Sequence, residues 1–207
     1  MKSLTKNLLL LTATLLIIGL ILEAGVRLTI GDSIVLFPRY HTSAQYGDWQ
    51  IRRLRPDSEF LHTSLDGQWR FTTNSRGFRE SREYSYDKPD NTFRVFVMGD
   101  SHTQGFEVRQ AHTYARIIER SLTKQGITAE VINTGISGFS TAEALVLLEN
   151  EGIRYQPDVV VLGFYANDFD DNIRSNLFSL TDEELVVNKK TYLPGVRILD
   201  IMNAIPP

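Results

Sequence analysis

The chain has 207 residues, 42% of them hydrophobic and 23% charged, enough for one sizeable core. With 22 Lys and Arg against 25 Asp and Glu the formal net charge is -3, which gives no basic field of the kind that holds a phosphate backbone; nucleic acid is not an expected partner. There is no cysteine, so disulfides, thiolate catalysis and Cys-ligated zinc are excluded.

Lys2 and Lys6 precede an apolar stretch from Leu8 to Leu22, broken only by Thr12, Thr14 and Gly19. Its length falls between a signal-peptide core and a full span of about 20 residues, and Ala24, Gly25 and Val26 extend it past Glu23. Ile21-Leu22-Glu23-Ala24-Gly25 supplies small residues poorly at the positions a signal peptidase reads, so residues 1–30 are expected to be an uncleaved membrane anchor; cleavage would instead give a secreted protein. The lysines hold the N-terminus in the cytoplasm by the positive-inside rule, which places the chain beyond the anchor on the outer side. Glu23 and Arg27, at i and i+4, are expected to pair.

Residues 31–91 read as a juxtamembrane region. Gly31 to Asp57 is aromatic and polar without sustained periodicity, as in a linker or lid. Leu61 to Ser64 and Gln68 to Thr73 alternate on either side of Asp66-Gly67, a hairpin turn signal, and predict a small β-hairpin. The charged, turn-rich run Arg79 to Asn91 then separates this region from residues 92–207.

From Phe93 the pattern becomes strand then helix. Phe93 to Met98 is a compact apolar run, and Tyr114 to Gln125 has helical spacing before Gly126, a good C-cap. Glu130 to Asn133 predicts a second strand, Thr141 to Asn150 a second helix, and Asp158 to Phe164 a third strand. The run Val159-Val160-Val161-Leu162 is what a strand buried on both faces of a parallel sheet requires. This alternation predicts a doubly wound α/β sheet with its site at the carboxyl ends of the strands.

Three loops leave those carboxyl ends. The first is Val97-Met98-Gly99-Asp100-Ser101-His102-Thr103, where a serine directly after a strand, behind a glycine that tolerates a tight turn, presents its hydroxyl at the top of the sheet. The second, Asn133 to Ser140, opens the second helix, and its glycines let a backbone N–H approach an oxygen closely. The third is Tyr165-Ala166-Asn167-Asp168, in which an asparagine amide is available as a hydrogen-bond donor. Singly, each also fits an ordinary turn or helix start. Together they are what an acyl-transfer site needs.

In order and placement these loops resemble the blocks of the SGNH hydrolase family. Val97 to Gly105 resembles its GDSL block, Asn133 to Ser140 the block that supplies an oxyanion glycine, and Ala166-Asn167-Asp168 its Gly-x-Asn-Asp block; Asn74-Ser75-Arg76-Gly77-Phe78-Arg79 resembles a segment that often precedes them in membrane-anchored members. The resemblance spans roughly Phe93 to Asp171. It implies a flavodoxin-like, three-layer α/β/α domain, with Ser101 as nucleophile and the Ser101 and Gly138 N–H groups and the Asn167 side chain as oxyanion hole. Gly138 is preferred to Gly135 because it falls at the family's Ser-Gly step. Gly99, Asp100 and Asp168 take supporting roles, and no metal or organic cofactor is implied.

His102 stands where the family commonly has an apolar residue, and Tyr165 replaces the glycine of Gly-x-Asn-Asp. A larger departure is that the family's final Asp-x-x-His block, source of its general base, has no counterpart: no histidine follows His112. The domain is therefore expected to be incomplete at its C-terminal side, and these 207 residues alone to be inactive. His102 is poorly placed as a substitute, because adjacent residues leaving a strand point in different directions. His112 is expected as a solvated residue ahead of a helix, and His41 and His62 at surface or lid positions. Asp168, Asp170 and Asp171 read as a hydrated loop in preference to a metal site. The activity expected is hydrolysis of an O-acyl ester, on a small molecule or on an extracytoplasmic glycan or lipid. An O-acyltransferase of envelope polysaccharide and a non-catalytic glycan-binding or assembly protein are the alternatives on the same fold. A nucleotide binder is disfavoured, since no Gly-x-Gly-x-x-Gly or Walker-type loop follows the first strand.

Overall fold

The computed structural model of the chain describes residues 2–30, 41–65 and 67–191. Helix α1 (Lys2–Ile30) contains one stretch, Ser3–Thr29, long and apolar enough to cross a membrane, with a mean hydropathy of 2.3. At 1.5 Å per residue α1 is about 43 Å long, more than the roughly 30 Å of a bilayer's hydrocarbon core. Its leucines are exposed around the whole circumference, and Arg27 Nε meets Glu23 Oε1 at 2.7 Å, as the i, i+4 spacing predicts.

Two hairpins come next in the chain. The first, β1 (His41–Tyr46) with β2 (Trp49–Leu54), turns at Gly47-Asp48, where Gly47 has a φ of 57°. The second, β3 (Glu59–Ser64) with β4 (Gly67–Thr72), is the predicted one. Of the linker or lid expected over Gly31 to Asp57, residues 31–40 lie outside the described residues, and 41–54 form a hairpin instead. Ala44, Tyr46, Ile51, Leu54 and Phe71 share one apolar cluster with Phe139, Val146 and Leu147 of the α/β part, so the hairpins bury their faces against it. That packing also corrects the expected surface or lid positions of His41 and His62, which are buried.

The α/β part runs β5 (Phe93–Gly99), α2 (Ser101–Gln104), α3 (Tyr114–Lys124), β6 (Ala129–Asn133), α4 (Thr141–Asn150), β7 (Val159–Gly163) and α5 (Asp168–Ser175), ending in a third hairpin, β8 (Phe178–Thr181) with β9 (Glu184–Val187). The sheet order is β6-β5-β7, all parallel, so the serine-bearing strand is central. Side chains alternate as the period of two requires. Val95, Val97 and Val131 pack with Ala115 and Ile118 of α3, whereas Phe96, Met98 and Ile132 pack with Ala144 and Leu148 of α4. Two helices on opposite faces of a parallel sheet give the expected three-layer, doubly wound arrangement.

β7 differs from expectation. Instead of being buried on both faces it is an edge strand among the described residues, and Val159, Val160 and Leu162 are 40–46% exposed. A continuous β-branched run reports the tendency to be a strand; burial depends on what covers the strand, which no local pattern encodes. The run Arg79 to Asn91 is not a bare separator either: Arg79 and Tyr84 are buried, and Arg94 of β5 donates to the Ser85 carbonyl, drawing the segment onto the sheet.

Candidate active site

Because the three strands are parallel and adjacent, the loops after β5, β6 and β7 leave the same edge of the sheet. The central one is shaped by Gly99. Its φ of 149° suits only glycine, and an added Cβ would lie 2.6 Å from the Gly163 carbonyl oxygen at the end of β7. Asp100, 1% exposed, then caps α2, its Oδ1 accepting from the His102 N–H at 2.8 Å. Ser101 is the first residue of α2 and is half-buried.

The second loop is locked to the first through α2. Asn133 Nδ2 donates to the Thr103 carbonyl at 3.0 Å, while its Oδ1 accepts from the Gly135 N–H. Gly135 lies so close that a Cβ there would sit 2.8 Å from Gln104 Cα and nearer still to the Gln104 nitrogen. Gln104 Oε1 accepts from both the N–H and the hydroxyl of Ser137, at 2.7 and 2.6 Å. Ile136 and Phe139 close a turn with Gly138 at a φ of 77°, and Arg52 of β2 donates to the Gly138 carbonyl at 3.2 Å.

The third loop carries Asn167, whose Nδ2 donates to Asp171 Oδ2 at 2.8 Å and whose Oδ1 is buried without a hydrogen-bond partner. One of its two amide hydrogens is thus already committed. Asp168, Asp170 and Asp171 occupy the first turn of α5, where the helix dipole favours negative charge. Asp168 accepts from the Tyr165 N–H at 3.0 Å, and its carboxyl is pushed above the ordinary range by burial, with Asp100 and Asp171 adding repulsion. Asn172 binds this loop to the second one: its Oδ1 accepts from the Ala142 N–H and its Nδ2 donates to the Thr141 hydroxyl, capping α4.

A cavity of about 450 Å³ opens beside Ser101, walled by His102, Phe106, Val108, His112 and Tyr114 among others. Gly138 and Asn167 lie outside this lining. Both residues that depart from the family pattern meet here. The His102 ring stacks on Tyr165 with centroids 3.9 Å apart, and its Nδ1 faces Asp100 Oδ2 at 3.2 Å. Among the described residues no hydrogen bond joins His102 to the Ser101 hydroxyl.

A model of the GDSL-like lipase/acylhydrolase family matches residues 97–207, more than half of the chain. The chain belongs to that family. No significant match came from the curated proteins. Membership in the GDSL-like lipase/acylhydrolase family supports a hydrolase or esterase kind of activity. Within this family member, sequence reasoning missed the braces of the loops: Arg52, Gln104 and Asn172 carry no motif signal of their own. Arg79 did carry one, as the end of Asn74 to Arg79. Its buried guanidinium donates to the Gln104, Gly105 and Val108 carbonyls, so the segment before the sheet holds the loop after α2.

Proposed function

We propose that the chain carries a serine ester hydrolase site in which Ser101 attacks the carbonyl carbon of an O-acyl ester. The Ser101 and Gly138 N–H groups and the remaining amide hydrogen of Asn167 would hold the tetrahedral oxyanion. The alcohol leaves with a proton and water resolves the acyl-enzyme. The reading is carried by one observation: the serine opens the helix directly after the central strand, and the glycine and asparagine loops follow the two strands hydrogen-bonded to it. Gly99, Asp100 and Asp168 shape the loops, and α1 would tether the site outside the membrane near glycan or lipid esters.

A serine hydroxyl without a base stays protonated and weakly nucleophilic. His102 is 60% exposed at its side chain and engaged with Asp100 and Tyr165, so residues 1–207 alone are expected to hydrolyse p-nitrophenyl acetate no faster than Ser101→Ala. Added imidazole supplies the base. With it, a fluorophosphonate probe should form an adduct that mass spectrometry places on Ser101, and p-nitrophenyl acetate turnover should exceed that of Ser101→Ala. Equal turnover in the two proteins, or an adduct elsewhere, would refute the assignment.

A further inference from the structure

We propose a second binding site, for a single carboxylate-bearing sugar ring, in the cavity between the β1–β2 hairpin and the end of α4. The cavity measures about 300 Å³, and Ser43, Gln45, Tyr46, Arg53, Arg76 and Glu151 line it. Arg53 projects from β2, and its Nε is buried without a hydrogen-bond partner; among the described residues its guanidinium enters no ion pair. Arg76 faces the same space, 3.7 Å from Glu151 Oε1 and otherwise lying over the Tyr86 ring. Two guanidinium groups thus border one cavity with donor capacity unspent.

The charge balance selects the ligand. Glu151 is the acidic residue in the lining, and its oxygens are already engaged: Oε1 accepts from the Tyr86 hydroxyl at 2.7 Å and Oε2 from Arg154 at 3.4 Å. The surplus is positive and small, which suits a monoanion, and a guanidinium fork matches a carboxylate with two parallel hydrogen bonds. The volume is at the lower limit of small-molecule sites, right for one sugar ring and too small for an acyl chain. Ser43 and Tyr46 add hydroxyl groups suited to ring hydroxyls. α4 begins at the serine edge of the sheet and ends at this cavity, about 15 Å away along ten residues, so the site is independent of the chemistry assigned to Ser101.

The test is calorimetric titration of the full chain in detergent micelles with sodium glucuronate, glucose, acetate and inorganic phosphate. Glucuronate should bind with a Kd of about 1 mM or below. Arg53→Gln and Arg76→Gln should each weaken it about tenfold, glucose and acetate should bind about tenfold less tightly, and Ser101→Ala should bind as the parent does. Circular dichroism checks folding of each variant; should Arg53→Gln fail to fold, the exposed Arg76→Gln carries the comparison. Undiminished glucuronate binding by a folded variant overturns the proposal, as does phosphate, acetate or glucose binding as tightly as glucuronate. Failure here leaves Ser101 labelling untouched, and failure of labelling leaves this site untouched.

Discussion

Replacing Arg79 by methionine should destabilise the serine loop by an amount that the geometry sets. The guanidinium is 2% exposed and gives its hydrogen bonds to three main-chain carbonyls. Bonds from a charged donor contribute about 1.5–3 kcal/mol each, so three give roughly 5–9 kcal/mol. Against this, burial holds the Arg79 pKa down to about 10 from 12.5, a penalty of about 3 kcal/mol on the charged form. Methionine recovers that penalty and keeps part of the packing on Phe71, over whose ring the guanidinium lies at 4.6 Å. It donates nothing, however, and the fully buried Gln104 loses a partner for its carbonyl. The net cost is about 2–6 kcal/mol, and at about 2–4 °C per kcal/mol for a chain of this size Tm should fall by roughly 4–24 °C. Thermal unfolding in detergent followed by circular dichroism measures it. Arg79→Lys should fall between the two, since an ammonium cannot span three acceptors as a fork does. If Arg79→Met melts within about 2 °C of the parent, desolvation has cancelled the hydrogen bonds and the bracing role is wrong.

Acid sensitivity should trace to His41. Burial, helped by Arg52, lowers its pKa to about 3 in the folded chain, against 6.5 unfolded, so the unfolded state binds the extra proton and stability drains away as pH falls from 6.5 towards 3. At pH 5 the loss is about 2 kcal/mol, and His41→Gln should remove that part of the acid slope in urea titrations; an unchanged slope would count against it. Gly135→Ala should cost more than Gly138→Ala. At Gly135 the new methyl meets the main chain of α2, whereas at Gly138 it meets the far end of the Arg52 side chain and adds the strain of a positive φ, about 1–2 kcal/mol. Equal urea midpoints for the two would show that the close approach to α2 is not what fixes the loop.

The periodic elements are legible because each carries its own signal. Tyr114–Lys124 and Thr141–Asn150 announce themselves by apolar spacing and caps, and Phe93–Gly99 by an unbroken apolar run ending in glycine. The hairpin over His41–Leu54 is not, since its polar and apolar residues do not alternate cleanly: both faces are partly covered, one by α4 and the α/β core. α5 reads as a hydrated loop because Asp168, Asp170 and Asp171 look like loop composition until the dipole of a helix start is taken into account. Of the proposed site, Ser101, Gly138 and Asn167 are chosen from their blocks by resemblance, and the strand order sets the loops that carry them side by side. What the blocks do not convey is how the loops are held, because Arg52, Arg79 and Asn172 act across separations in sequence that only the folded chain closes.

The central place of β5 has a consequence for how the protein is made. A ribosome delivers Phe93–Gly99 before either strand that will flank it, so the serine's strand has no hydrogen-bonding partner until Ala129–Asn133 emerges, and lacks one on its other side until Val159–Gly163 does. Ser101, the proposed nucleophile, is therefore synthesised before both flanking strands and acquires its surroundings only after them, which leaves little opportunity for a half-made chain to present a competent serine.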